Sequence, residues 1–198
     1  MTRARPARER GAVAVTTPPI ALRLARSRDV PALDALIPLS ARALQAATYS
    51  PAQIEGALGT VFAVDRQLIA DGTYFVAERD TEMVGCGGWS RRKTLFGGDR
   101  GRSPLADSLL DPKRDAARIR AFFVHPACAR RGIGRLLMIA CERAAAEAGF
   151  RAMELVATLA GEPLYAAFAF RAVERYDVAL ANGLSLPVVR MAKALPPR

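Results

Sequence analysis

Residues 118–150 read RIRAFFVHPACARRGIGRLLMIACERAAAEAGF. Three kinds of segment follow one another in this stretch. Residues 119–124 (IRAFFV) form an apolar, partly aromatic run of strand length. His125-Pro126 stops it, because proline has no amide to give to a ladder. From Gly134 to Ala148 the residues are strong helix formers, and Gly149 supplies the position just past a helix end. Between strand and helix lies Arg130-Arg131-Gly132-Ile133-Gly134-Arg135.

A turn of this composition in front of a helix suits an anion. The first helical amides have no intrahelical acceptor, and the helix dipole adds partial positive charge. Two glycines let a bulky group come close to the backbone. Arg130, Arg131 and Arg135 add permanent charge and forked donors that match phosphate. The pattern predicts a pyrophosphate cradle; the alternative is an ordinary helix start with solvated arginines. Two other phosphate-binding loops do not fit. A P-loop needs Gly-Lys-Ser/Thr, which this segment lacks. A Rossmann turn needs G-x-G-x-x-G directly after the strand. Here Leu137 holds the third place and the interval from Val124 to Gly132 is too long, although Glu154 stands about where a ribose-binding acid would.

The same residues resemble the acetyl-CoA-binding motif of the GCN5-related N-acetyltransferase (GNAT) superfamily, Gln/Arg-x-x-Gly-x-Gly/Ala after a strand ending in Val-x-Pro. Val124-His125-Pro126 and Arg130 to Arg135 carry the match, with Ala129 at the Gln/Arg position. Further on, Leu164-Tyr165-Ala166-Ala167-Phe168-Ala169-Phe170 resembles the family's Phe-Tyr-x-x-x-Gly-Phe, with Ala169 in place of the glycine. The resemblance implies the acyl-CoA N-acyltransferase fold: a mixed α/β protein with a mostly antiparallel twisted sheet flanked by helices. It implies acetyl-CoA as co-substrate, and acetyl transfer to a primary amine of a small-molecule or peptide acceptor by direct attack in a ternary complex. A homodimer is a further partner that the family brings with it. The same fold used without chemistry, as an acyl-CoA-binding or regulatory module, is the alternative.

Site residues carry over position by position. The backbone of Arg130, Arg131, Gly132, Ile133, Gly134 and Arg135 is expected to grip the phosphates. The amides of Phe122, Phe123 and Val124 are expected at the acetyl carbonyl, where negative charge builds. Tyr165 falls on the general acid, and the chemistry supports the choice. A phenol ordinarily titrates near 10 and a thiol near 8.5, so a tyrosine is protonated when coenzyme A leaves as a thiolate. A base is harder to read. Where many relatives carry a carboxylate on the central strand, this chain has Arg118 and Arg120. Glu154 on the next strand is the candidate, with Glu82 and a water chain behind it. His125, the single histidine, is expected to end the strand.

Composition bounds the rest. The 198 residues suit one domain with its own core. No apolar run is long enough for a bilayer, and the N-terminal arginines lack a signal-peptide core, so a cytoplasmic protein without a membrane partner is expected. Cys86, Cys128 and Cys141 have no metal-ligand spacing and are expected to be reduced, buried side chains, with no metal site. The net charge of +10 raises nucleic acid as a partner. The arginines are scattered, however, and no recognition motif accompanies them, so no specific nucleic acid is expected.

In chain order, residues 1–18 read as a disordered basic leader and 19–198 as the domain. Residues 20–24 suit a strand, and Asp29 caps a helix of about ten residues. Ser50-Pro51 opens a second helix. Residues 60–70 have helical spacing. Residues 73–78 and 83–90 form a hairpin whose second strand is thinned by Gly85, Gly87 and Gly88, through tight packing or a bulge. Residues 91–117 form a long loop expected over the acceptor, where Asp99, Asp107, Asp111 and Asp115 would attract an amine. A strand over 151–158, a short helix over 164–168 and a hairpin turning at Asn182-Gly183 complete the chain.

Overall fold

The structure is a computed structural model that describes residues 18–98 and 108–196. The expected leader lies outside the described residues except for Pro18, as do Asp99 and Asp107 of the long loop. Strands β1 (Ala21–Leu24), β2 (Tyr74–Arg79), β3 (Glu82–Ser90), β4 (Ala117–Val124), β5 (Ala152–Thr158), β6 (Arg171–Ala179) and β7 (Ser185–Ala194) make one sheet in the order β1-β2-β3-β4-β5-β7-β6. Every neighbouring pair is antiparallel except β4–β5. That pair is parallel because helix α4 (Ile133–Glu147) crosses over between the two strands.

Alternation along the strands divides the core between two faces. Tyr74, Val76 and Cys86 pack under α1 (Val30–Leu44), α2 (Pro51–Ala57) and α3 (Arg66–Ala70), whereas Ala77 and Val84 pack under α4. Helix α4 buries Ile133, Leu137, Met138, Cys141 and Ala145, one stripe at three- and four-residue spacing. The glycines of β3 make this docking possible. A Cβ at Gly85 would stand 2.7 Å from the Ile133 side chain, and one at Gly87 would stand 2.7 Å from the ring of Phe122.

Two elements differ from the sequence expectation. Helix α1 runs for 15 residues, through Pro38. Asp29 precedes it without capping it. The carboxylate instead accepts from the Arg26 amide at 2.7 Å and from Arg23 at 2.7 and 2.9 Å, and Arg23 also reaches Glu78 at 2.5 Å. Residues 60–70 are α-helical only over α3. Asp65 caps that helix, its Oδ1 accepting from the amides of Gln67 and Leu68 at 3.1 and 3.4 Å, which draws residues 60–65 into a turn. Helix α2 begins as read: Ser50 and Gln53 exchange hydrogen bonds in a capping box.

The feature that positions the site is a break in the pairing. Strand β4 meets β5 only at Ala117↔Met153 and Arg118↔Glu154, and then the two part. On the other edge of β4 the register to β3 shifts between Cys86 and Gly88, so β4 carries one extra residue there. Ala121, inside that bulge, has φ +56°, in the left-handed region.

Candidate active site

The bulge is held from below. The hydroxyl of Tyr74, a fully buried residue, lies 3.2 Å from the Ala121 carbonyl oxygen and 3.2 Å from Cys86 Sγ. Burial pushes the Cys86 thiol up to about 12, so it stays protonated at neutral pH. Beyond the bulge Phe122 turns toward α4, and Phe123 packs edge-on against Phe62 at 6.2 Å on the opposite face.

After β4 the chain makes a short 3-10 turn, Pro126–Cys128. His125 opens it, its Nδ1 accepting from the Ala127 amide at 3.2 Å, so the histidine has the structural role that its place before proline implied. Arg79 donates to the sulfur of Cys128 at 3.1 Å. Arg130 and Gly132 then both take positive φ, +61° and +85°, and α4 begins at Ile133. Arg130, Arg131, Gly132 and Arg135 are exposed. A Cβ added to Gly132 would meet nothing within 4 Å, so the turn faces open space and not packed protein. The space in front of it is a groove of about 470 Å³ bounded by Ser40 and Leu44 of α1, by Arg130 and the residues Gly132 to Arg135, and by Leu164 and Tyr165 of α5 (Glu162–Ala166). Two of the three expected carbonyl-binding amides are already engaged: Val124 N–H donates to Ser40 Oγ at 3.1 Å, and the Phe123 backbone N–H is bonded to the Cys86 sulfur.

A second, smaller space of about 80 Å³ lies at the parting of β4 and β5, beneath residues 61–63 and 95–97. Most of the side chains on its walls are apolar, but about half of the surface they present is polar. Arg120 is the charged side chain on them among the described residues, only 5% exposed, paired with Asp65 at 2.8 Å and donating to the Gly97 carbonyl. The long loop after β3 is pinned at its base here. Arg92 bridges to Leu109, and the Gly98 amide donates to the Thr60 carbonyl at 2.8 Å. Leu95, Phe96 and Gly97 thus line this cavity. Asp111 and Asp115 do not line it. They close a turn of their own, Asp115 accepting from the Asp111 amide at 2.8 Å.

Groove and cavity share Gln45, Phe122, Phe123, Thr158 and Tyr165. Tyr165 is 8% exposed, held edge-on between Phe122 at 6.2 Å and Phe170 at 6.1 Å. Burial raises its phenol above the ordinary tyrosine value, which keeps it a proton donor. Of the residues singled out from the sequence, the structure therefore brings Phe122, Phe123, Val124, Arg130, Gly132, Ile133, Gly134, Arg135 and Tyr165 around one connected space, while Arg131 lines neither part of it.

Glu154 is the exception. It lines neither space. It is bound by Arg118, its neighbour across the short β4–β5 pairing, with Arg190 at 3.9 Å. A carboxylate held between two arginines is badly placed to take a proton there. Glu82 sits at the β2–β3 turn, equally outside. Ser40, Gln45, Thr158 and the Arg120–Asp65 pair escaped the sequence reading. The available signals were a serine on the inward stripe of α1 and an arginine in a strand otherwise read as buried. Among the described residues no cluster of His, Cys, Asp or Glu could hold a metal ion, and no helix is long and apolar enough to cross a membrane.

The Acetyltransferase (GNAT) family profile matches residues 42–170. Among solved structures, a GCN5-related N-acetyltransferase from Rhodopseudomonas palustris aligns with TM-score 0.66 and 24% identity, over 93% of this chain and 100% of its own. The PaiA N-acetyltransferase of Thermoplasma acidophilum, solved in complex with coenzyme A, aligns with TM-score 0.58 and 13% identity, over 89% of this chain and 99% of that one. YncA of Salmonella typhimurium, solved with its cofactor acetyl-CoA, gives TM-score 0.57 and 16% identity, over 90% and 95%. At these identities the likeness bears on the fold. Comparison with curated proteins finds no significant match.

Proposed function

The chain belongs to the GNAT family of acetyltransferases, and we propose that it moves an acetyl group from acetyl-CoA to a primary amine, by direct attack with both substrates bound. The observation that carries this reading is the shared wall: the groove at the start of α4 and the cavity at the parted strands meet at Phe122, Phe123, Thr158 and Tyr165.

The residues present fit the donor. The 15-residue α4 directs its first amides, with the left-handed Arg130 and Gly132 ahead of them, toward the groove, and three exposed arginines surround the turn. These groups would hold the pyrophosphate, since unpaired amides, dipole and guanidinium groups all favour negative charge there. Acetyl-CoA supplies an activated thioester. The backbone of Phe122, beside the bulge, would donate to the carbonyl oxygen as charge develops on it. Tyr165 would donate its proton to the departing sulfur. The low dielectric around the buried phenol strengthens that hydrogen bond relative to one in water.

Isothermal titration of the full chain with acetyl-CoA should give saturable heat that free coenzyme A competes away. Thiol release should follow when amines are added. No heat and no thermal shift at millimolar acetyl-CoA would overturn the reading. Binding without thiol release across a broad amine panel would instead favour a non-catalytic acyl-CoA-binding module.

A further inference from the structure

Five of the described residues border both the groove and the cavity, and Gln45, Thr158 and Tyr165 are the ones with hydrogen-bonding side chains. Thr158 Oγ1 is engaged, accepting from the Gly161 amide at 3.1 Å. The Tyr165 hydroxyl is the proton donor for sulfur. Gln45 is left. Its Oε1 is buried and accepts no hydrogen bond from a described residue. A buried carbonyl of this kind is destabilising until a donor reaches it. The main chain of the same residue is firmly placed. Gln45 closes α1, its amide donating to the Ala41 carbonyl at 3.0 Å and its carbonyl accepting from the amides of Thr48 and Tyr49, each at 3.0 Å. Tyr49 ties this end of the helix to the sheet: its hydroxyl donates to the Pro187 carbonyl at 2.6 Å and accepts from the Leu159 amide at 2.9 Å. A bare oxygen is thus carried on a rigid mount where the two spaces meet.

We propose that Gln45 is a catalytic residue whose Oε1 accepts an N–H of the attacking amine and so aims the nitrogen lone pair at the thioester carbon. The inference rests on the acetyl-transfer reading and adds a residue to it. As the C–N bond forms, the nitrogen turns positive and its N–H becomes a stronger donor. The hydrogen bond to Oε1 therefore tightens toward the transition state, which is the condition for a contact to raise the rate. The C–S bond then breaks. The Tyr165 phenol gives its proton to sulfur, and the proton that nitrogen sheds restores the phenol. Atoms and charge balance as amide plus thiol, and Gln45 neither gains nor loses a proton. Two sources of N–H reach this wall, the incoming amine and the amides of coenzyme A itself. The place of Gln45 on the cavity as well as the groove favours the amine.

The test uses the full chain and two thioethers of coenzyme A, carbamoylmethyl-CoA and acetonyl-CoA. They share shape and carbonyl and differ in ending on NH2 or CH3, where the amine nitrogen would stand. By calorimetry the wild-type chain should bind the carbamoyl compound more tightly by roughly three- to tenfold, the factor that one neutral hydrogen bond supplies. Gln45→Met keeps the length of the side chain and removes the oxygen. It should abolish that preference and leave the acetyl-CoA dissociation constant unchanged. Gln45→Glu keeps an acceptor oxygen and should keep the preference. Equal binding of the two thioethers by the wild type, a preference that survives Gln45→Met, or one lost in Gln45→Glu would overturn this inference and leave acetyl transfer standing. Weaker acetyl-CoA binding by Gln45→Met would hand the oxygen to the amides of coenzyme A and overturn it as well. A wild-type chain that binds no acetyl-CoA would overturn both readings.

Discussion

Strand β5 has β7 on one side and β4 on the other. Against β7 it pairs without a break from Ala152↔Ala194 to Thr158↔Val188. Against β4 it pairs at Ala117↔Met153 and Arg118↔Glu154 and then separates. The strand itself is regular throughout, with Met153, Leu155 and Ala157 buried toward α4. The difference comes from its partners. Strand β7 keeps register with it along its length, while β4 is turned aside by the extra residue at Ala121, locked by Tyr74 and by the ring of Phe122 lying over Gly87. On the paired side backbone groups saturate one another and the result is stability. On the parted side they border a space, and the result is room for a reaction.

That contrast can be broken in order of effect. Tyr165→Phe removes only a hydroxyl at the opening. Turnover should fall by roughly a hundredfold or more, with acetyl-CoA affinity from calorimetry unchanged; an unaltered rate would make Tyr165 a packing residue. Leu155→Ala strikes the paired side, where the side chain is 1% exposed. It should lower unfolding free energy in urea by about 3 kcal/mol and leave the acetyl-CoA dissociation constant alone. A changed constant would mean that the two seams are not separable. Gly132→Val adds a side chain at φ +85° in open space. It should cost about 1–2 kcal/mol of stability, and the covered turn should bind acetyl-CoA at least tenfold more weakly.

Two smaller effects lie away from the junction. The Arg23 guanidinium beside Asp29 holds that carboxyl below the usual carboxylate range. A folded value below the unfolded one gives stability that is present above the ordinary aspartate range and lost as pH falls through the folded value. Asp29→Asn should therefore lower the melting temperature at neutral pH, by the equivalent of about 1 kcal/mol, and flatten the loss of stability below about pH 4. Ala169→Gly should raise stability by up to about 1 kcal/mol, because Ala169 sits at φ +63° where the related motif has glycine.

Local patterns were legible and distant partnerships were not. Strand, basic turn and helix from Ile119 to Gly149 follow from apolar runs, proline and glycine placement, and the observed α4 starts within one residue of the reading. The capping box at Ser50 and the glycine turn before β7 are equally local. Asp65 shows where this stops. Its spacing among Val61, Val64 and Leu68 favours helix, but the carboxylate ends up capping α3 and pairing with Arg120, which stands 55 positions away in sequence. Glu154 is the mirror case. Its position on the next strand was right, but nothing in the sequence shows that Arg118 and Arg190 flank it.

The groove and the cavity have separate walls apart from the five residues at their meeting point. Phe62, Phe96 and Val178 border only the one, and Ser40, Gly132 and Leu164 only the other. On the proposed reading, drift at the first set would retarget the protein to a new recipient while its hold on the common donor went undisturbed. A sheet opened between two strands in this way lets a lineage change its customers one aromatic ring at a time.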